Sequence, residues 1–272
     1  MNEIIIEPNK GIKLFWKELW SYRELFFFLV WKDILVRYKQ TVIGIAWSVI
    51  RPLLTMIVLT IIFGKLAKLP SGNIPYPILV FAAMLPWQFF SNTLSTSSNS
   101  LISNQNMVSK IYFPRIILPT TAMVVSLIDF LISFLILVAM MIWYNFYPGW
   151  KIMALPLLMI LATLTSLGAG YWISAMNVKY RDFRIVIPFI IQFGLYISPV
   201  GFSSNVVPEK WRLLYSLNPM VGVIDGFRWA ISGNDVSLYL PGLVISICLS
   251  LLLFVYGAMF FYKTERNFAD II

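Results

Sequence analysis

The sequence predicts an all-α integral membrane protein with six transmembrane helices, and three observations carry that reading. Only 12% of the 272 residues are charged, against 59% hydrophobic and 16% aromatic. A soluble domain carries about 25% charged and 45–50% apolar residues. The mean hydropathy of +0.80 means more apolar surface than one water-soluble core could bury. Finally, the apolar residues gather into runs near the length that crosses a bilayer, about 20 residues of helix at 1.5 Å each.

Five runs qualify directly: 45–64, 116–143, 152–177, 185–202 and 238–262. The first carries Arg51-Pro52 near its start, where proline can kink it. A sixth run, 78–90, is apolar for only 13 residues, about 20 Å of helix. It leads into 91–100, polar at nine of ten positions. The spacing predicts one helix over 78–100 whose hydroxyls and amides face protein or a water-filled cavity, not lipid. The competing reading ends the helix at Phe90 and makes the tract a loop.

The distribution of Lys and Arg supports six spans with both termini inside the cell. With that topology, fourteen of the 21 basic residues fall on inside segments and six outside, with Arg51 within the first span. Dropping the 78–100 span would invert the carboxyl-terminal half. A cleavable signal peptide is not expected, because the first eleven residues hold Glu3 and Glu7 instead of a basic-then-apolar pattern.

The chain thus divides into a cytoplasmic arm (1–44), a membrane domain (45–265) and a short tail (266–272). In the arm, the apolar stretch 25–31 is too short to span, so it predicts a helix lying at the interface with its tryptophans at headgroup depth. The outer segment 203–237 predicts two short amphipathic helices, over 209–217 and 220–231. Asn218 and Pro219 stand as N-cap and first-turn proline of the second, and Asp225 and Arg228 as a surface pair three residues apart. There is no internal repeat of the inverted-transporter kind.

Composition excludes much chemistry. The chain has no histidine, so it offers no His metal ligand or His general base. Its one cysteine, Cys248, lies in an apolar run and reads as a small buried hydrophobe. No phosphate-binding loop, nucleophile elbow or paired-carboxylate motif is present, so the chain is read as no enzyme, and ATP hydrolysis must come from a partner. The net charge of +9 reports cytoplasmic anchors and not a nucleic-acid partner. Within the spans only Arg51 and Asp129 are ionisable, thin support for a gradient-driven carrier. Arg51 lies about 9 Å into its span and can snorkel, while Asp129 is central and needs a partner, such as a hydroxyl of the second span or Arg51.

Six short motifs then occur in order: Arg37-Tyr38-Lys39-Gln40-Thr41 with Gly44 and Trp47, Leu85-Pro86-Trp87-Gln88-Phe89-Phe90, Phe113-Pro114-Arg115, Tyr180-Arg181-Asp182, Ser198-Pro199-Val200 and Asn218-Pro219-Met220. This ordered set, over about residues 35–265, resembles the permease subunit of type-2 ABC exporters for polysaccharides, the O-antigen, capsule and teichoic acid group. The resemblance implies a homodimer in the inner membrane bound to two copies of a separate ATPase subunit. It implies export of a lipid-linked polysaccharide through a channel at the dimer interface, as in lipopolysaccharide biosynthesis. No cofactor is expected on this chain, ATP and Mg belonging to the partner ATPase.

By that resemblance, 104–115 is the coupling helix, with Gln105, Asn106, Lys110, Tyr112, Phe113 and Arg115 as candidate contacts to the ATPase. The loop with Tyr180, Arg181 and Asp182 is a second contact. Phe113 and Tyr112 are expected to be exposed there. Trp31, Arg37 and Tyr38 mark the interfacial arm, and Pro199, Phe202, Trp211, Asn218 and Pro219 the external gate. A sugar offers hydroxyls and apolar C–H faces, so a route for it needs polar partners and flat rings. Trp87, Phe89, Phe90, Ser91, Thr93, Ser97 and Tyr196 are the candidate lining, with interfacial belt or packing as the plainer reading of each aromatic. The rival functions are a type-2 exporter of teichoic acid or small molecules, a membrane-embedded glycan-modifying enzyme, and a secondary carrier.

Overall fold

The computed structural model describes residues 20–39, 44–69, 74–180, 182–232, 238–265 and 268. All regular structure among them is helical. The arm forms α1 (Arg23–Lys39), with Glu24 in its first turn and Arg37 and Lys39 in its last, charges that complement the helix dipole. One side of α1 buries Leu29 in a cluster with Val108, Phe113 and Phe261, while Phe27, Phe28 and Trp31 are exposed. The arm is thus helical, with one side packed on the bundle and the other exposed.

The first span is α2 (Gly44–Leu59), which passes through Pro52 and continues in wider π-helical turns over Thr60–Leu66. The second, α3, runs unbroken from Tyr76 to Ser103, so the hydroxyl tract is helix and not loop. Its side chains explain how. Ser91 donates to Gln88 O at 3.1 Å, Ser98 to Ser95 O at 2.8 Å and Ser100 to Ser97 O at 2.8 Å. These three hydroxyls find their acceptors within the helix's own preceding turn and need no water. A short helix α4 (Gln105–Lys110) comes next, then α5 (Ile117–Trp143) and α6 (Leu155–Lys179), the last preceded by a 3-10 turn over Trp150–Ala154.

The next helix differs from expectation. The apolar run reaches Phe202, yet α7 covers only Phe183–Ile197, 15 residues or about 22 Å. Pro199 is the cause, because a proline drives the residue before it out of the helical region. Ser198 accordingly sits at φ −78°, ψ 151° and the chain turns. Five helical stretches among the described residues are therefore long and apolar enough to span alone, namely Ala46–Leu66, Tyr76–Ser103, Ile117–Trp143, Trp150–Lys179 and Leu240–Glu265. The fifth run in the sequence is the short one.

Beyond the turn, one helix forms as predicted but lies elsewhere. Helices α8 (Glu209–Tyr215) and α9 (Pro219–Ser232) are both present, and Asn218 caps α9 by accepting from Met220 N at 3.0 Å. But α9 is not a surface helix. Val223, Ile224, Phe227 and Arg228 are buried, and α9 packs between α3, α6 and α10 (Leu240–Glu265). The expected surface pairing of Asp225 with Arg228 is corrected accordingly, as both side chains lie inside the bundle. Arg228 points into the α7 turn and donates to Val200 O at 2.7 Å, to Leu79 O at 3.3 Å and to Phe202 O. Val200 and Phe202 lie where the chain has turned out of α7, so the guanidinium fork supplies donors to their carbonyls, while Leu79 O belongs to α3.

The tightest helix pair is α6 against α10, where a Cβ placed on Gly257 would stand 2.1 Å from Gly168 O. Small residues let two backbones meet in the way membrane helices favour.

Candidate functional site

A polar cavity of about 570 Å³ lies between the end of α1 and helices α2, α3, α5 and α7. Helix α3 supplies Trp87, Gln88, Ser91, Asn92 and Ser95 to its wall, α2 supplies Trp47, Ser48, Arg51 and Thr55, and α7 supplies Gln192. Positions 84, 87, 88, 91, 92 and 95 repeat every three or four residues, so they occupy one face of α3. The amides of Gln88, Asn92 and Gln192 make no hydrogen bond to described residues, which leaves them available to whatever enters.

The α3 tract carries a second polar face that does other work. Thr93 and Ser97 are wholly buried toward α5 and α6, where Ser97 donates to Pro119 O at 2.9 Å. From α6, Asn177 donates back to Ser98 O at 2.7 Å. Phe89 lies in the core edge-on to Phe130. These three candidate lining residues, Phe89, Thr93 and Ser97, are therefore off the cavity wall in this chain. Phe90 is half-buried against Trp87, with ring centroids 5.5 Å apart, and Tyr196 is exposed on α7 outside the cavity lining. Of the seven named from the sequence, Trp87 and Ser91 reach the wall. The outer edge of the Trp87 ring packs against α7, where a Cβ on Gly194 would stand 2.5 Å from it.

Asp129, about 18 Å along α5, closes one side of the cavity. Its partners come from the arm, not from the second span or Arg51. Tyr38 donates to Asp129 Oδ1 at 2.5 Å, and the Arg37 guanidinium lies 2.6 Å from Oδ2. Burial first, and then the neighbouring carboxylate, push the Tyr38 phenol up to about 12, so it remains a donor. Arg51 also faces the cavity, with no acidic partner among the described residues. Among the described residues no group of three His, Cys, Asp or Glu side chains could hold a metal ion.

A membrane family model described as ABC-2 type transporter matches residues 24–232, which includes the arm, the cavity and the buried α9. The chain belongs to the ABC-2 type transporter family. It is 27% identical over 215 residues to the O-antigen export system permease protein RfbA of Myxococcus xanthus, a match covering 78% of this chain and 82% of that protein. To the RfbA protein of Klebsiella pneumoniae it is 26% identical over 248 residues, 89% and 92% of the two chains. The polysialic acid transport protein KpsM of Escherichia coli is 21% identical over 211 residues, 76% of this chain and 80% of that one.

In this ABC-2 chain the segment expected to couple to a partner is partly structural. Gln105, Asn106 and Lys110 on α4 are exposed, as are Ile111 and Tyr112. Phe113, expected on the surface, is 3% exposed against 51% for Tyr112, because it packs with Leu29, Leu101 and Val108. Arg115 also turns inward, donating through its guanidinium to Glu265 O and through its backbone N–H to Glu265 Oε1 at 2.6 Å. It ties the start of α5 to the end of α10. Tyr180 and Asp182 are exposed at the α6–α7 junction, and Arg181 lies outside the described residues.

On the opposite end of the bundle, Pro199 is buried, Phe202 half-buried beside Phe63, and Trp211 exposed on α8. Asn218 donates to Ser198 Oγ at 3.0 Å, so the α9 cap also holds the turn that ends α7, and Pro219 opens α9 beside it. Asn92 and Ser95 belong to the tract expected to face protein or a water-filled cavity, whereas nothing in the sequence marked Gln88, Gln192 or Trp47 as cavity-facing. The period of α3 contains two polar stripes and does not say which one α5 and α6 cover.

Proposed function

We propose that this ABC-2 family chain is the channel-forming subunit of an ATP-driven exporter that moves a lipid-linked polysaccharide out of the cytoplasm across the inner membrane. The observation that carries this reading is the cavity wall, where uncommitted amides of Gln88, Asn92 and Gln192 stand beside the Trp47 and Trp87 rings. Hydroxyl-rich cargo with apolar ring faces is matched by that mixture. The names of the O-antigen and polysialic acid relatives point to the same class of cargo.

In this reading α7 with its turn serves as the fifth of six spans, and both termini face the cytoplasm. The chain works as a homodimer with two ATPase subunits, which bind ATP and Mg. The exposed residues of α4 with Tyr112, Tyr180 and Asp182 are the coupling surface, while Phe113 and Arg115 act behind it by holding its shape. The exposed aromatics of α1, Trp31 among them, lie at the lipid interface. Pro199, Phe202, Trp211, Asn218 and Pro219 belong to the outer gate.

The test is co-expression with an ATPase subunit encoded beside it, native mass spectrometry of the assembly, and ATP-dependent transfer of a lipid-linked glycan across proteoliposomes. A two-plus-two complex whose transfer is lost in Gln88→Leu and Gln192→Leu, with assembly intact, is expected. Transfer of small hydrophobic compounds in place of glycan would move the protein to the small-molecule branch. Neither activity, with a lone monomer, would return the enzyme and carrier readings.

A further inference from the structure

One buried acid at the far end of the bundle has no task in the export reading. Asp225, on α9, is 9% exposed, and no Lys or Arg nitrogen among the described residues lies within 4.0 Å of its carboxylate. Arg228, one turn further along α9, gives its guanidinium to the carbonyls of Leu79, Val200 and Phe202 instead. Asp225 borders a separate cleft of about 10 Å³, room for about one water. Helix α8 forms one wall of it with Arg212 and Tyr215, and Ser204 and Tyr239 stand on the others. That wall is lightly held. No residue of Glu209–Tyr215 is buried, and Trp211, Leu213 and Leu214 are exposed. Tyr215 donates to Ile197 O at 2.7 Å, while Arg212 donates within its own segment, to Val207 O at 3.1 Å and Asn205 O at 3.2 Å.

We infer that Asp225 is a proton-operated latch for α8: its neutral carboxyl keeps the cleft closed, and its carboxylate draws water in and lifts the helix. A carboxylate taken out of water without a close counter-ion is costly, and a neutral carboxyl is far less so. Burial outweighs the opposing pulls of Ser204, Arg228 and Arg212 and pushes the Asp225 carboxyl up from its ordinary value. Of the other titratable groups on the cleft, the Tyr215 phenol is also pushed up, by burial first and then by Asp225, so it stays a donor to Ile197 O. Tyr239 and Arg212 complete the set facing the acid. The closed form therefore binds the proton more tightly than an open, hydrated form does. Closure is strongest in acid and is lost as pH rises through the raised value. In the export reading α8 belongs to the outer gate, so acid outside the cell holds the gate shut and loss of the proton frees it. The place of the latch in transport rests on that reading; its titration does not.

The test uses the full chain in phosphatidylcholine nanodiscs with a nitroxide on Lys210→Cys, an exposed position of α8. The one native cysteine, Cys248, is exposed on α10 and not buried as its apolar run suggests, so it is first replaced by serine. Label mobility, read by electron paramagnetic resonance, is expected to be low in acid and to rise between about pH 4 and pH 9, around a midpoint above the ordinary carboxyl value. Asp225→Asn, a fixed neutral mimic, is expected to lose the rise and hold the label immobile throughout. Glu209→Gln, which removes the one carboxylate on α8 itself, is expected to keep it. A rise that survives Asp225→Asn, or a parent spectrum flat across the range, overturns the latch. Where the Asn variant is not monodisperse, Arg212→Gln decides, because it removes a charge that opposes protonation. The midpoint must then move to higher pH, and an unmoved midpoint overturns the latch. The label is read without ATPase, nucleotide or cargo. A lid that follows Asp225 in a chain exporting no glycan therefore keeps the latch and loses the export reading, and glycan export by a chain whose lid ignores pH does the reverse.

Discussion

Tyr38 donates a 2.5 Å hydrogen bond to Asp129, joining the last turn of the arm to the middle of α5 across 91 positions of sequence. With Arg37 on the other carboxylate oxygen, this contact makes the arm part of the cavity wall, not a separate anchor. The central acid that the sequence says needs a partner is here the docking point of a helix.

Removing that acid should loosen the arm. Asp129→Leu leaves Arg37 and Tyr38 without an acceptor, and should cost about 1–3 kcal/mol, discounted because Arg37 is partly exposed. Asp129→Asn keeps an acceptor for Tyr38 and should cost less. Hydrogen exchange over α1 checks both, with faster exchange expected in the order parent, Asn, Leu.

Arg228 should be irreplaceable for stability. Two of its three carbonyl acceptors, Val200 O and Phe202 O, stand just past the end of α7, and Arg228→Met leaves them without that donor. A loss of about 3 kcal/mol or more is expected, read as a fall in the temperature at which the detergent-solubilised protein aggregates. Arg228→Lys, a point charge in place of a fork, should recover only part of it.

The segment proposed to couple separates cleanly by burial. Phe113→Ala should destabilise by about 3–5 kcal/mol, as expected for an emptied aromatic site. Lys110→Glu and Ile111→Ser, on the exposed face, should leave thermal stability within about 0.5 kcal/mol and weaken association with the ATPase. Paired melting and pull-down measurements distinguish the two classes.

Helix packing between α6 and α10 depends on the absence of one methyl group. Gly257→Ala places a carbon against the Gly168 carbonyl, where only backbone movement can make room, and should cost about 1–3 kcal/mol. Gly149→Ala meets nothing within 4 Å and should be silent in the same melting assay.

Much of the architecture was legible from local signals. The capping of α9 by Asn218 followed from an Asn-Pro pair at a helix start, and a helix in the arm from an apolar stretch too short to span. The continuity of α3 through its hydroxyl tract followed from the need for a span there, and the tract's own carbonyls satisfy it. The shortness of α7 was written in Pro199 but hidden by hydropathy, which scores Ser198–Phe202 as apolar while the backbone turns.

The sequence by itself determined that this chain is helical, lives in a membrane, lacks its own energy-converting chemistry motifs and carries a family's motifs in order. Those are properties of composition and of residues near one another in the chain, where period and propensity act. Only the tertiary structure decided that α9 is buried, that Phe113 and Arg115 point inward, that Asp129 answers to the arm, and which polar stripe of α3 lines the cavity. Each of those depends on which helix covers which face. In a chain apolar on nearly every face, hydrophobicity alone cannot rank the faces, and close backbone approach, unpaired carbonyls and isolated charges make the choice.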